Sequence, residues 1–544
     1  MSDFGEILKA IGGFGLFQKI IIFALCFPNL ILPFHFASVF FVQSDPERHC
    51  NTDWILKAGP NLTTEEQLNL TLPREKDGSF SKCQMFVPVD WDIDTIREYG
   101  LNETTGCQSG WKYDRMLYEA TIVTDFDLVC GHVNLVQVAQ TLLMAGILLG
   151  SLLFGPFAES FGRKRATQIP AVVMLIFTVT TGFCPNFYLY LVSQFMVGIG
   201  YGGYRLNSII LATEWTGVSK RSLGSCVSQL FSALGQGLLA GLIYCIRDWR
   251  LAQLVIASPL VVVALYIWFI PESARWLIDR GRTKEAKKWI FKVAAINKRT
   301  VPDSLLEEIT EKETVEKGGI RFLIRSAVLM KYFFAIAFAW FSLNVTYYCL
   351  SFNVGNFGLD VFVTQLVFGL SELPAHVLCI WLLEVLGRKI LLISTLLIGG
   401  LFCIFILAVP DGNAVAVTAL ATMGRFFMNW AGSICNVYVQ ELFPTCVRQT
   451  TSGLGNIASR IGGLLAPLLN MLAVYHGAIP TIVFSSLSLV SGALIFLLPE
   501  TMRKELPDSA QEAEGNRNTA KMKKQSDSVA VSMPENRSVK STKL

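Results

Sequence analysis

Hydrophobic positions along this chain gather into twelve long runs separated by polar or glycine-bearing joints. The runs lie at 20–42, 135–157, 167–184, 187–212, 223–245, 252–270, 329–351, 361–386, 390–409, 414–438, 449–473 and 478–498. Each approaches or exceeds the ~20 apolar residues that a helix needs to cross a bilayer, where only a helix or a closed barrel satisfies its own backbone. The pattern predicts an all-α membrane protein with twelve membrane helices. Three long segments are polar instead, at 43–134, 271–328 and 499–544, and a short polar, glycine-bearing one occupies 1–19. They divide the chain into a leading segment, a first helix at 20–42, a large loop, helices 2–6 over 135–270, a connector, helices 7–12 over 329–498, and a tail. The first run is long enough to span, so it is expected to stay as a helix rather than be cleaved as a signal.

Composition agrees and narrows the class. Hydrophobic residues make up 52% and charged residues only 16%, too few charges for an ordinary soluble enzyme of this length. A net charge of +4 is too small to point to nucleic acid. No nucleophile–base arrangement, phosphate-cradling glycine loop or metal-ligand cluster stands out, so neither enzyme activity nor a cofactor or metal is expected.

The loop at 43–134 carries Cys50, Cys83, Cys107 and Cys130 and the sequons that begin at Asn61, Asn69 and Asn102. Four cysteines and three glycosylation acceptors place it outside the cell, with two disulfides whose pairing among three possibilities stays open. Arg163, Lys164, Arg165, Lys220, Arg221, the connector, Arg388, Lys389 and Arg448 all fall on the other side, as the positive-inside rule requires. Both termini are then cytosolic. The connector has the pattern of short amphipathic helices, and the tail has a disordered composition. Its end, Thr542-Lys543-Leu544, has the form that adds a strand to a PDZ domain.

The charged joints repeat. Glu159 and Arg163 return as Glu384 and Arg388, Glu214 and Arg221 as Glu441 and Arg448, and Pro271-Glu272-Ser273 as Pro499-Glu500-Thr501. The offsets are nearly constant (384 − 159 = 225, 441 − 214 = 227, 499 − 271 = 228), so the chain consists of two related halves. Within the runs, ionisable residues are few and each is a functional candidate, because a charge in hydrocarbon is costly. They are Arg205, Glu372, His376, Arg425 and Arg460, with Glu372 and His376 four apart on one helix face.

Gly162-Arg163-Lys164-Arg165, Glu214-Trp215, Pro271-Glu272-Ser273-Ala274-Arg275-Trp276 and Glu441-Leu442-Phe443-Pro444-Thr445, together with the cysteine-bearing loop, resemble the organic ion transporters. These are solute carrier family 22 of the major facilitator superfamily, and the likeness is greatest to the organic anion branch that handles urate and nicotinate. The resemblance implies two pseudo-symmetric six-helix bundles working by alternating access. It makes Glu159, Arg163, Glu214, Arg221, Glu384, Arg388, Glu441 and Arg448 cytosolic gate residues, whose charge networks form in the outward-facing state and part when the inner side opens. Glu159 and Glu384 stand where the superfamily often has Asp.

Arg460 and Arg425 match positions that are basic in anion carriers, and His376 stands where those members carry Lys or Arg, so its charge depends on pH. Tyr347 and Tyr348 match a cavity-facing pair, Trp430 is a further aromatic candidate, and Arg205 has no counterpart in the family pattern. The expectation is a plasma-membrane exchanger of small organic anions, with an organic anion and a counter-anion as its ligands. Rival readings are a cation or carnitine carrier using Glu372, a sugar carrier, and a receptor or scaffold acting through its C-terminus.

Overall fold

The structure, a computed structural model, describes residues 4–36, 47–75, 78–113, 120–216, 221–302, 323–353, 359–410, 412–443 and 445–501. The calls on the tail, including Thr542–Leu544, lie outside the described residues.

Twelve membrane segments run in chain order. The first half holds α1 (Leu16–Cys26, continued by single-turn 3-10 stretches to Phe36), α2 (Asn134–Phe161), α3 (Arg163–Gly182), α4 (Phe187–Glu214), α5 (Arg221–Cys245) and α6 (Trp249–Tyr266). The second holds α7 (Ala327–Phe352), α8 (Val361–Leu386), α9 (Arg388–Phe405), α10 (Ala414–Leu442), α11 (Thr445–Met471) and α12 (Ala478–Ile495). Eight of the twelve are long and apolar enough to cross a membrane by length and composition alone.

The first helix departs from its expected span of 20–42. It begins at Leu16, where Asn297 of the connector accepts the Phe17 N–H at 2.9 Å, and Gln18 accepts the Gly15 N–H at 3.1 Å. It loosens into 3-10 turns from Phe27, where Pro28 cannot donate the helical hydrogen bond.

The halves repeat one packing scheme. In the first, α2 and α3 lie against α4, α6 lies against α3, and α1 runs along α5 and α4. In the second, α8 and α9 lie against α10, α12 lies against α9, and α7 runs along α11 and α10. Glycines allow the closest approaches: a Cβ on Gly146 of α2 would run into the Phe195 carbonyl oxygen of α4.

Between halves, α5 meets α8 and α2 meets α11. The first contact is close enough that a Cβ on Gly369 would lie 2.7 Å from the Gly237 nitrogen, and Tyr244 meets Phe362 edge-on beside it. At this end one buried cluster draws on both halves, joining Val136, Ile243 and Trp249 to Leu350, Phe368 and Phe484. Away from it, one cluster around Leu211, Trp215 and Ile290 belongs to the first half but for Phe352 of α7, and another, around Leu329, Leu391 and Tyr438, draws on the second half alone among the described residues. The halves are therefore sealed together on the side that bears the large loop.

That loop is a small domain of two short antiparallel ribbons, Arg48–Cys50 with Trp111–Tyr113 and Gln84–Phe86 with Thr104–Gly106. Disulfides Cys50–Cys107 and Cys83–Cys130 resolve the pairing. Asn61, Asn69 and Asn102 are exposed on it. Its last helical turn is clamped to the first half: Asp125 accepts the Trp249 indole N–H at 3.0 Å and pairs with Arg250 at 3.2 Å. The connector forms helices at Ala274–Asp279 and Thr283–Ile296. The longer one buries Ala286, Ile290, Val293 and Ala294, an amphipathic spacing.

Candidate functional site

The repeated joints serve one local purpose. α2 ends at Gly162 and α8 at Gly387, both with positive φ (107° and 85°), and the next helix begins at once with Arg163 or Arg388. The exposed backbone N–H groups of that helix start need an acceptor. Glu272 takes the Lys164 N–H at 3.0 Å, and Glu500 takes those of Arg388 and Lys389, each at 3.0 Å. Lys164 Nζ then reaches the Trp268 carbonyl at 2.8 Å and Lys389 Nζ the Phe496 carbonyl at 2.9 Å. Thus the last segment of each half is tied to its third helix. Burial raises the Glu272 carboxyl above its ordinary range, although the backbone donors of Ser273, Lys164 and Arg163 pull the other way.

The gate candidates divide. Arg163 pairs with Glu214 at 3.3 Å and Arg388 with Glu441 at 2.8 Å, each within its own half and each formed while the loop side is sealed. The Glu159 side chain is exposed, and it is the Glu159 carbonyl that accepts bonds from Trp276 and Arg280. The side chains of Arg221, Glu384 and Arg448 lie outside the described residues.

Deeper in the second half, Arg425 of α10 is 1% exposed and pairs with Glu372 of α8 at 2.8 Å. Tyr347 of α7 completes a triad, donating to Glu372 at 2.8 Å and accepting from Arg425 at 2.7 Å. The guanidinium lies between the Tyr347 and Phe368 rings, 4.5 and 4.6 Å from their centroids, which adds cation–π attraction on both faces. The sequence marked Arg425, Glu372 and Tyr347 separately as ligand candidates. The structure brings all three into contact with one another, as a charge this deep requires a partner, and leaves Arg425 Nε and Nη1 without one.

His376, one turn beyond Glu372, is held between Asn429 Nδ2 (3.3 Å) and Ser433 Oγ (3.2 Å) of α10. Both ring nitrogens are engaged, and an amide Nδ2 that can only donate suits a neutral ring. Trp430 stacks on Phe427 and meets Phe426 edge-on in the inner core of the second half, so it is packed among aromatics rather than aligned with the charged groups.

Two arginines remain. Arg205 of α4 lies nine residues before Glu214, roughly 14 Å from that helix end, and Arg460 of α11 lies twelve residues beyond Arg448, roughly 18 Å. They come from opposite halves at comparable depth. Both are half-buried, and neither has a carboxylate within ion-pair distance among the described residues. Arg205 donates to the Tyr201 hydroxyl at 2.9 Å and to Gln229 Oε1 at 3.4 Å. Arg460 bonds Tyr348, and its Nε has no partner.

Sequence reasoning missed Tyr201, Gln229, Phe368, Asn429 and Ser433. Tyr201 and Phe368 were within reach of it, since each sits four residues before an intramembrane charge and so on the same helix face.

Comparison with known proteins agrees with this architecture. The sugar (and other) transporter family profile matches residues 93–512. Solute carrier family 22 member 13 of Homo sapiens is 38% identical over 516 residues, covering 94% of each chain. Solute carrier family 22 member 6-A of Xenopus laevis is 31% identical over 94% of each chain. Among solved structures, the proton:xylose symporter XylE bound to 6-bromo-6-deoxy-D-glucose superposes with a TM-score of 0.59 at 16% identity, covering 90% of this chain and 97% of that one. The shared fold, the two halves and the paired charge motifs lead to one conclusion: the chain is a multi-pass transporter of solute carrier family 22, built on the major facilitator fold, and is not an enzyme.

Proposed function

We propose that this protein is a plasma-membrane carrier of small organic anions, carboxylates of the size of urate or nicotinate, which it exchanges across the membrane by alternating access. Both termini lie in the cytosol on this reading. The observation that carries it is Arg460: a half-buried guanidinium at mid-membrane depth whose recorded contact is a tyrosine hydroxyl and whose Nε lacks a partner. A guanidinium in that setting can take a carboxylate through two parallel charge-assisted bonds.

Exchange follows from the same charge. Rocking the halves shut over an unpaired cation would strand it in a low-dielectric interior, at a cost of several kcal/mol. An anion on Arg460 removes that penalty, so the loaded carrier reorients and the empty one stalls until a counter-anion enters. A second-half core that holds no first-half residue among those described supports a hinge between halves. A cation carrier is the weaker reading, because Glu372, the acid such a substrate needs, is already neutralised by Arg425.

The test is uptake of labelled urate, nicotinate, tetraethylammonium and carnitine by cells expressing the native chain or Arg460→Asp at matched surface level. The expected outcome is uptake of an anion, its loss in the variant, and acceleration of its efflux by the same anion outside. Uptake of a cation, or of an anion undiminished by the substitution, overturns the proposal.

A further inference from the structure

We propose that a crevice at the base of the first half binds an anionic phospholipid of the cytoplasmic leaflet, with an acyl chain in the crevice and the phosphate on Lys292. The leaflet follows from the orientation proposed above; the site itself is independent of which solute the carrier moves. The crevice has a volume of about 320 Å³ and lies where α1, the end of α6 and the connector helix Thr283–Ile296 meet. Trp249, at the start of α6, is clamped to the loop domain, and Tyr266 in the crevice wall is 17 residues farther on (266 − 249). At ~1.5 Å per residue the crevice is roughly 25 Å from that clamp, at the other end of the half.

Its walls are apolar or aromatic side chains, Lys292 apart. Tyr266 brings a hydroxyl, but this donates to the Ala24 carbonyl at 2.6 Å and is thereby spent on joining α6 to α1. The rim continues as an apolar surface: Leu16, Ile20 and Phe23 share one face of α1, and all three, like Trp268 and Phe269 after α6, are more than half exposed. Such a surface is covered by lipid in a bilayer, and a tryptophan on it suits the membrane–water boundary.

Charge selects the headgroup. The connector helix carries Lys284, Lys287, Lys288 and Lys292 against one acid, Glu285, which is already paired with Arg282 at 2.7 Å. Lys288 and Lys292 are exposed and lie one turn apart on one helix face. The Lys292 ammonium is 4.9 Å from the centroid of Trp289, another wall residue, and this cation–π contact holds it beside the crevice. An amphipathic helix with lysines above an apolar cleft complements a negative headgroup above a hydrocarbon chain. A zwitterionic lipid gains less, because its own ammonium offsets its phosphate. The exposed rim gives a second chain somewhere to lie, which favours a two-chain phospholipid over a free fatty acid.

The experiment places the purified full-length protein in phosphatidylcholine nanodiscs that contain a trace of photoactivatable phosphatidylserine or phosphatidylcholine, the reactive group being on the acyl chain. Labelled peptides are mapped by mass spectrometry for the native chain, Lys292→Gln and Ile20→Trp, the last of which fills the crevice from its exposed rim. The serine lipid should label residues 17–24 and 289–296 about fivefold or more above the choline lipid, and Lys292→Gln should remove about fivefold of that labelling, the effect of one basic residue at an anionic surface. Ile20→Trp should suppress labelling there by both lipids and leave it unchanged elsewhere. Equal labelling by the two lipids, or serine-lipid labelling untouched by Lys292→Gln, reduces the crevice to an unselective lipid contact and overturns the proposal. Displacement of the label by unlabelled oleate more readily than by unlabelled phosphatidylserine makes a fatty acid the occupant and overturns it as well. No readout involves transport, so either failure leaves the anion-carrier reading standing.

Discussion

Glu372→Gln is the substitution that most directly probes the buried triad. At 2.8 Å the attraction between Glu372 and Arg425 is on the order of 6 kcal/mol at an effective dielectric of 20, most of it offset by the desolvation of both ions. The amide keeps the shape of the acid and removes its charge. Arg425, 1% exposed and lying against the Tyr347 and Phe368 rings, then has no counter-ion among the described residues. Breaking one partner of such a pair costs about 3–5 kcal/mol, whereas removing both is close to neutral.

Glu372→Gln should accordingly lower the thermal unfolding midpoint of the purified protein in nanodiscs sharply. Arg425→Met should do the same by stranding Glu372, and the double variant should regain most of the loss. A double-mutant cycle over the four proteins isolates the coupling, expected at about 2 kcal/mol or more. If Glu372→Gln unfolds at the native midpoint, or if the two losses simply add, the triad is not a structural unit. Arg425 would then act as a ligand independent of Glu372.

Other outcomes follow from the joints and the outer domain. Gly387→Ala places a Cβ 2.9 Å from Glu500 Oε2 at a φ of +85°, so it should cost about 1–2 kcal/mol or more and reduce surface yield, with Gly162→Ala, whose Cβ runs into Glu272 Oε2, at least as damaging. Non-reducing peptide mapping should recover Cys50 linked to Cys107 and Cys83 to Cys130; opening the second loop with Cys83→Ser and Cys130→Ser should cost about 2–4 kcal/mol of outer-domain stability, read by hydrogen exchange. Burial holds His49 below its ordinary value of 6.5, so the folded domain binds fewer protons there than the unfolded one; its stability is intact above pH ~6.5 and declines as pH falls through that value, which exchange rates at pH 7.5 and 5.5 can compare.

Much of the architecture was legible before any coordinates. Twelve apolar runs, the soluble cysteine-rich loop and the 225–228-residue repeat specify a two-half helical membrane protein, because spanning a bilayer is a one-dimensional constraint of length and hydropathy. The repeat even marked Glu272 and Glu500, though not that each caps the helix that follows a glycine turn more than a hundred residues earlier. The site was legible as a list of charges without its pairing. Glu372 and Arg425 lie 53 residues apart on neighbouring helices, and Arg205 and Arg460 lie 255 apart (460 − 205) in different halves. Helical periodicity reaches only three or four residues along a chain. Which cation is buried against an acid is decided when helices pack and each intramembrane charge meets the neighbour that packing brings to it. Composition and spacing thus determined that this chain spans the membrane in two matching halves. Only the tertiary structure decided that Arg425 meets Glu372 within the second half, while Arg205 and Arg460 have no carboxylate within ion-pair distance among the described residues.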